Sequence, residues 1–268
     1  MRQINRKGCL AEGRIRVALV ICGILTLASA PASVASQDQE ALLRRGLTLL
    51  EQGVNALDVA LVREAMTDFQ KASSMPESGR LARYYGALSA YRIANILIDS
   101  DRRVAVAELN SAIDQLEDLT SSHPEWAEPL CLLAGCYGQK IMARPLQAIF
   151  LGPKYNSAIE QAEKLDPANP RVVLFRAIGT LNAPRAFGGD REKAIAGLRQ
   201  AADLFSAQEA STSMEPSWGQ EDALAWLGIA YRDAGEIDSA RQAFSRALEL
   251  NPEYGWVKEV LLPALPPR

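Results

Sequence analysis

The residues that could do chemistry in this 268-residue chain are few and widely separated. Histidine occurs once, as His123, so a histidine-ligated metal site or a histidine-dependent catalytic triad is not expected. Neighbouring acids such as Glu117-Asp118 and Glu221-Asp222 are typical of solvated helix faces or of first-turn acids that complement the helix dipole. The sequence contains no GxSxG, HExxH or phosphate-loop motif. It therefore predicts a protein that is not an enzyme and that needs no metal or cofactor.

Two of the four cysteines, Cys131 and Cys136, lie on one predicted helix. Their i,i+5 spacing separates them by about 140° around the helix axis, so they should not bridge each other. A redox or metal pair would have CxxC-like spacing. We expect two small buried thiols.

The amino-terminal region has the layout of a secretory signal. Five basic residues and one acid precede an apolar run from Val17 to Ala30, and small residues follow it. The run of 14 residues is shorter than the roughly 20 needed to cross a bilayer. We predict a signal peptide over residues 1–35 with cleavage after Ala35, and an uncleaved anchor is the alternative. The protein is then exported, to the periplasm or the medium.

Signal removal would make the chain more acidic. Lysine plus arginine falls from 29 to 24 and aspartate plus glutamate from 32 to 31, which leaves a net charge of −7. An acidic exported protein is a poor candidate for binding nucleic acid or inserting into an anionic membrane.

The composition and the periodicity of the mature region predict helices. The chain has 42 alanines and 34 leucines against 6 threonines and 12 valines. The clearest unit runs from Glu221 to Pro252, with Leu227, Gly228 and Tyr231 on one helical stripe. A break at Ala234-Gly235-Glu236 follows, and a second stripe is ended by a proline. The second stripe consists of Ala240, Phe244 and Ala247.

This unit resembles a tetratricopeptide (TPR) repeat, whose Leu-Gly-x-x-Tyr, Ala-x-x-x-Phe-x-x-Ala and proline positions are all met in order. The second-helix pattern recurs, ending at Ala72, Ala112, Ala162, Ala201 and Ala247. These alanines are 39 to 50 residues apart, longer than the family period of 34, because long connections separate the repeats. The resemblance extends to exported bacterial proteins with degenerate repeats. It implies an all-α, right-handed superhelical solenoid of about five helix pairs over residues 36–262, with a proline-rich tail at 263–268.

The resemblance also implies a concave groove lined by the first helix of each pair. Mapping the family's ligand-contacting positions onto this sequence gives six candidate groove residues: Arg83, Tyr91, Gln139, Arg176, Thr180 and Arg232. Guanidinium groups match carboxylates, so the three arginines could bind an acidic protein or peptide partner. The plainer interpretation is that they are solvated or pair with neighbouring glutamates.

Two loops are further candidates. Gly188, Gly189 and Asp190 form either a tight turn with a helix cap or a backbone contact surface. Trp218 lies in a polar segment, Ser206–Gln220, and either packs that segment onto the solenoid or is an exposed binding aromatic.

Together these features predict an exported, non-catalytic scaffold for protein–protein interaction in the cell envelope. The alternative is an accessory subunit of a periplasmic transporter that holds a small ligand in an internal pore. A large apolar cavity would favour that alternative, and the oligomeric state is left open.

Overall fold

The structure, a computed structural model, describes residues 30–74, 79–208 and 214–267, with side chains from residue 37 onward. Most of the predicted signal peptide therefore lies outside the described residues. The cleavage site after Ala35 and the choice between signal and anchor stay predictions.

The described residues form ten α-helices, arranged as five consecutive antiparallel pairs, and contain no strand. In chain order the helices are α1 (Ala30–Ala56), α2 (Val59–Ser73), α3 (Gly79–Leu97), α4 (Arg102–Ser122), α5 (Ala127–Ala143), α6 (Ala148–Leu165), α7 (Pro170–Asn182), α8 (Arg191–Ala207), α9 (Gln220–Asp233) and α10 (Ile237–Leu250). Each helix packs on the next one along the chain, which is the arrangement of a helical-repeat solenoid. The prediction of an all-α solenoid with five pairs is confirmed.

Close packing inside a pair depends on small residues opposite aromatic ones. Gly228 of α9 faces Phe244 of α10, and a Cβ added at Gly228 would lie 2.3 Å from the Phe244 ring. The first pair repeats this contact between Gly46 and Phe69, at 2.6 Å. Both phenylalanines are fully buried, so their rings fill the space that the missing side chains leave open.

Four of the ten helices begin at a polar residue whose side chain caps the helix. Asp58, Asp101 and Asp190 accept hydrogen bonds from backbone N–H groups in the first turns of α2, α4 and α8. Asn169 does the same for α7, whose first residue is Pro170, a residue suited to a position where its missing N–H is not needed. Polar caps thus fix the start of each of these helices and with it the length of the pair.

The loops that the sequence predicts at 53–61 and 151–154 are mostly helical. The connection between α1 and α2 is only Leu57-Asp58, and Leu57 has a left-handed backbone with a φ of 53°. Gly152-Pro153 predicts a turn with a helix start at Pro153, and this is wrong, because Pro153 lies inside α6. A proline at the sixth position removes only the hydrogen bond to Ile149, whose surroundings are exposed to solvent, so the first turn survives.

The carboxyl-terminal end of the solenoid folds back against its beginning. A short π-helical turn, Trp256–Leu261, buries Val257 and Leu261 against the last pair. The side chain of Asn251 donates a hydrogen bond to Asn55, 196 residues earlier, at 2.9 Å. Gly255 packs so closely on the α1–α2 turn that a Cβ there would lie 2.3 Å from the carbonyl oxygen of Asn55. This contact, called the seam below, closes the superhelix into a ring.

Candidate functional site

The inner face of the ring is covered by part of the chain itself. Residues 214–219, called the inner segment, precede α9 and lie against α3 and α7. Tyr85 donates a hydrogen bond to the carbonyl of Met214 at 2.8 Å, and Arg80 pairs with Glu215 at 2.9 Å. The indole N–H of Trp218 donates to the Tyr84 hydroxyl at 2.9 Å. Trp218 therefore packs on the inner face.

A buried ion pair holds the inner segment in place. Arg171 of α7 and Glu128 of α5 are only 3% and 6% exposed, and their closest charged atoms are 2.7 Å apart. The Asn169 amide also donates to Glu128, at 2.7 Å, which satisfies more of the buried carboxylate. The remaining guanidinium donors of Arg171 reach the carbonyls of Pro216 and Trp218, at 2.8 and 2.9 Å. One arginine thus links two helices to the inner segment and leaves little of its charge unpaired.

Beside the inner segment, the closed ring encloses a cavity of about 280 Å³. Its aromatic walls come from α3, α7, the inner segment, α9 and the carboxyl-terminal turn: Tyr91, Phe175, Trp218, Trp226, Tyr254 and Trp256. Val54 and Leu57 contribute from the α1–α2 turn, so the seam is one wall of the cavity. The more exposed members of the lining, Asp99, Arg102 and Met142, mark its opening.

Opposite charges inside the cavity neutralise each other. Arg92 and Asp222 form a two-point hydrogen-bonded pair at 3.1 and 2.6 Å, and Tyr254 donates to Asp222 at 2.5 Å. Burial alone would raise the pKa of Asp222, but the charge and hydrogen bonds of Arg92 outweigh it and the pKa is lowered. The Arg92 guanidinium also lies over the Trp218 ring, 5.1 Å from its centre.

The structure does not bring the three predicted groove arginines together as free cations. Arg83 pairs with Asp118 of α4, Arg176 pairs with Glu163 of α6, and Arg232 pairs with the adjacent Asp233. These contacts match the plainer interpretation of the sequence, in which the arginines pair with neighbouring acids. Their role in partner binding stays a prediction.

The other predicted groove residues divide between two places. Tyr91 and Gln139 line the cavity, and the Tyr91 ring meets Phe175 edge to face with 6.3 Å between centres. Thr180 instead donates to the backbone carbonyl of Arg176 within its own helix. Burial raises the pKa of Tyr91 well above its usual range, so its hydroxyl stays protonated and can donate a hydrogen bond.

The loop with two glycines is a tight connection between α7 and α8. Gly188 has a left-handed φ of 90°, and a Cβ at Gly189 would lie 1.8 Å from the carbonyl oxygen of Ala183. Asp190 caps α8 through the Lys193 N–H at 3.1 Å, and that cap lowers the pKa of the Asp190 carboxyl. These contacts account for the three residues as a turn and a helix cap.

The two cysteines are free and fully buried. Burial raises the pKa of both thiols, so neither is a reactive thiolate. The expectation of two small buried thiols is confirmed.

His123 ends α4, with its ring nitrogen Nδ1 3.0 Å from the Ser122 hydroxyl. The described residues contain no cluster of three or more His, Cys, Asp or Glu side chains placed to hold a metal ion.

Several charged contacts of the inner face could not be predicted from the sequence. The pair of Glu128 and Arg171 and the pair of Arg92 and Asp222 join positions 43 and 130 residues apart. A repeat pattern records only which face of a helix is apolar, so it carries no signal for such contacts. Charged residues at inward positions of α5 and α7 were the one available hint.

A different surface is apolar and uncovered. Leu146, Ile149 and Phe150, at the start of α6 and the turn before it, are 93%, 74% and 75% exposed. These three residues are called the outer patch below. Arg144, directly before the patch, is exposed and makes no ion pair with any described residue. Large exposed apolar groups in a cluster are typical of interaction sites.

The comparisons agree with the fold that the helices define. The sequence pattern of the tetratricopeptide repeat family matches residues 221–254, the last helix pair. A thermophilic TPR protein of Thermus thermophilus, TTC0263, is similar in structure with a TM-score of 0.59 and 20% identity, over 84% of this chain and 99% of that one. The last helix pair is thus a tetratricopeptide repeat, and the chain as a whole has a TPR-like all-α solenoid fold.

A second solved structure has the same overall architecture. It is the HusA haemophore from Porphyromonas gingivalis, with a TM-score of 0.56 and 22% identity, over 77% of this chain and 96% of that one. At this identity both likenesses show the fold alone. No curated protein sequence matches this chain.

Proposed function

We propose that this chain is an exported, non-catalytic scaffold of the cell envelope that binds a protein partner through the outer patch. The TPR fold supports a role in protein interaction, since solenoids of this kind present extended binding surfaces. The observation that carries the proposal is the exposure of Leu146, Ile149 and Phe150, in a chain that buries most of its large apolar side chains. Covering such a group with a partner removes apolar surface from water.

The concave face is the less suitable binding surface. The inner segment already occupies it through hydrogen bonds from Tyr85 and Arg171, and the seam closes the ring beside it. An extended peptide would first have to displace these contacts. The outer patch is free of such competition among the described residues.

The charge near the outer patch indicates the chemistry of the partner. Arg144 is exposed beside the patch, and Lys154 lies one helical turn beyond it, where it pairs with Glu117. Without the predicted signal peptide the protein has a net charge of −7, and a local positive charge on it would attract a partner with acidic residues around an apolar contact. This agrees with the acidic partner expected from sequence, although the position of the surface differs.

Export to the envelope is supported by the basic and apolar residues at the amino terminus. None of the helices in the described part of the chain is both long and apolar enough to span a bilayer. The absence of catalysis is supported by the usual role of TPR repeats and by the hydrogen-bonded, charge-paired state of Asp222 and Glu128.

Site-specific photo-crosslinking in the native envelope tests this proposal. A photoreactive amino acid in place of Leu146 should capture one protein, whereas the same group in place of Leu250, an exposed leucine on α10, should not. Capture should be lost in the double variant Ile149→Ser/Phe150→Ser. It should persist in the control Val260→Ser, which also removes an exposed apolar side chain.

Three results would contradict the outer patch as the docking surface. The first is equal capture from positions 146 and 250. The second is crosslinking of position 146 to lipid alone, which would indicate a membrane contact. The third is loss of capture in the triple variant Arg83→Ala/Arg176→Ala/Arg232→Ala with the outer patch intact, which would return the site to the predicted groove.

The alternative function, a small-ligand-binding accessory subunit of a periplasmic transporter, is favoured by one observation. The interior holds a cavity with six aromatic side chains in its lining. Native mass spectrometry of the protein from its own host would test this function, because a transported ligand should remain bound to part of the population. A chain of unmodified mass throughout would argue against it.

A further inference from the structure

The cavity has the properties of a binding site rather than of a packing defect. Six aromatic side chains line it, and three of them are tryptophans from separate parts of the chain. A cavity of about 150 Å³ suffices to bind one benzene molecule. The cavity here, at about 280 Å³, is large enough for two or three joined rings.

The lining also determines the charge of a suitable ligand. Arg92 is paired with Asp222 within the cavity, and one further residue of each charge, Arg102 and Asp99, belongs to the lining at its opening. An anion would be buried against the negative faces of aromatic rings without a counter-ion, and a cation would find the Trp218 face already occupied by Arg92. The walls therefore favour a neutral molecule.

One polar atom of the wall has no partner. Asn95 lies on α3 in the cavity lining, and its carbonyl oxygen, Oδ1, is buried without a hydrogen bond to any described residue. The same side chain forms a hydrogen bond with the Tyr91 hydroxyl that opposes the rise in the pKa of Tyr91, which is the effect of a donating amide N–H. A buried carbonyl of this kind is normally hydrogen-bonded, so it is suited to accept a hydrogen bond from a ligand.

From these observations we infer that the cavity is a binding site for a neutral, flat aromatic molecule of two or three rings that donates a hydrogen bond to Asn95. The rings would stack among Phe175, Trp218 and Trp256, in geometries that aromatic pairs prefer. The site is separate from the outer patch and does not depend on protein binding there. It deepens the alternative function by naming the class of ligand, but it requires no transporter.

N-phenyl-1-naphthylamine is a suitable probe because it is neutral, has three rings and carries a single N–H. Added to the mature chain, it should bind with one molecule per chain and quench the fluorescence of the cavity tryptophans by energy transfer. Its 8-sulfonate, 1-anilinonaphthalene-8-sulfonate, has the same rings and a negative charge. The sulfonate should bind at least about tenfold more weakly, because its charge would be buried without a partner.

Two variants test the position of the probe. Ile178→Trp enlarges a side chain of the cavity wall and should weaken binding at least about tenfold, whereas Ile149→Trp makes the same change on the outer patch and should have no effect. Asn95→Leu should weaken binding about five- to tenfold by removing the acceptor. The N-methylated probe, which has no donor, should bind Asn95→Leu and the original protein equally.

The inference is overturned if the neutral probe does not bind, or if Ile178→Trp binds it as well as the original protein does. Loss of binding in Phe150→Ser would also overturn it, because the probe would then lie on the outer patch. Should Ile178→Trp fail to fold, the affinities of N-phenyl-1-naphthylamine and of its N-methylated form for Asn95→Leu still test the proposed hydrogen bond. Equal weakening of both probes by that variant would exclude the proposed hydrogen bond.

Discussion

At the scale of single residues, two buried ion pairs have different structural roles. Arg171 with Glu128 fixes the inner segment to α5 and α7, and Arg92 with Asp222 joins α3 to α9 across the cavity. Both pairs carry extra hydrogen bonds that satisfy their remaining polar atoms. Pairs of this kind stabilise little in total but are costly to break, since removal of one partner leaves a buried charge.

Arg171→Met should therefore lower the free energy of unfolding by about 3–5 kcal/mol. Removing the Glu128 charge as well, in Arg171→Met/Glu128→Leu, should recover part of that loss. Arg176→Met is the matched control, because its pair with Glu163 is exposed and should contribute only about 0–1 kcal/mol. Urea unfolding monitored by circular dichroism measures the free energy of unfolding of all three variants. An equal decrease for Arg171→Met and Arg176→Met would contradict a special role for the buried pair.

The lowered pKa of Asp222 predicts a dependence of stability on pH. A carboxyl whose pKa is depressed by folding contributes stability above its unfolded pKa of about 3.9 and loses that contribution as the pH falls. Asp222→Asn should therefore be clearly less stable than the original protein at neutral pH, and the difference should shrink below about pH 4. A difference that stays constant with pH would show that the ion pair with Arg92 contributes nothing specific.

At the scale of elements, the helix pairs follow from local sequence, whereas the connections do not. The pattern of Ala240, Phe244 and Ala247 was sufficient to predict α10 and its contact with Gly228. Pro153, by contrast, predicted a helix start and instead lies inside α6. Apolar periodicity is a local property of each helix. A proline near a helix end, by contrast, can be the first residue of the helix or lie within its first turns, and tertiary packing decides between these two positions.

The contact inside the last pair gives a prediction at this scale. Gly228→Leu should overpack the pair at a cost of about 1–3 kcal/mol, and Phe244→Ala should cost about 3–5 kcal/mol through the cavity it leaves. Contacts in a solenoid are mostly between neighbours, so hydrogen exchange should increase most in the last two pairs. Exchange that increased evenly from residue 41 to residue 260 would instead indicate one cooperative unit.

At the scale of the whole molecule, the sequence predicted the solenoid but not its closure. Asn55 and Asn251, which are 196 residues apart in sequence, form a hydrogen bond. A repeat pattern does not specify the rotation angle between one helix pair and the next, which decides whether the two ends meet. The inner segment was recognised as unusual through Trp218, although its position on the inner face depends on Arg171 and Tyr84. The candidate site was therefore predictable in part, through Tyr91, Gln139 and Trp218, and its charged residues were not.

Export is also a property of the whole molecule. Mass spectrometry of the protein from its native host should show a chain that begins at or within a few residues of Ser36, because small residues precede that position. An intact Met1 in the envelope fraction would favour the uncleaved anchor.

Closure of the superhelix at the seam is the central structural claim, because the cavity and the covered inner face both depend on it. Spin labels on cysteines introduced at the exposed residues Glu51 and Glu253, on the two sides of the seam, allow pulsed electron paramagnetic resonance to measure closure directly. The experiment uses the chain from Ser36 onward, which lacks Cys9 and Cys22, and the two remaining native cysteines, Cys131 and Cys136, are fully buried and should stay unlabelled. A closed ring predicts one short, narrow distance distribution that broadens and lengthens in Gly255→Leu, whose side chain would clash with the Asn55 backbone. A broad, long distribution in the protein without that substitution would contradict closure.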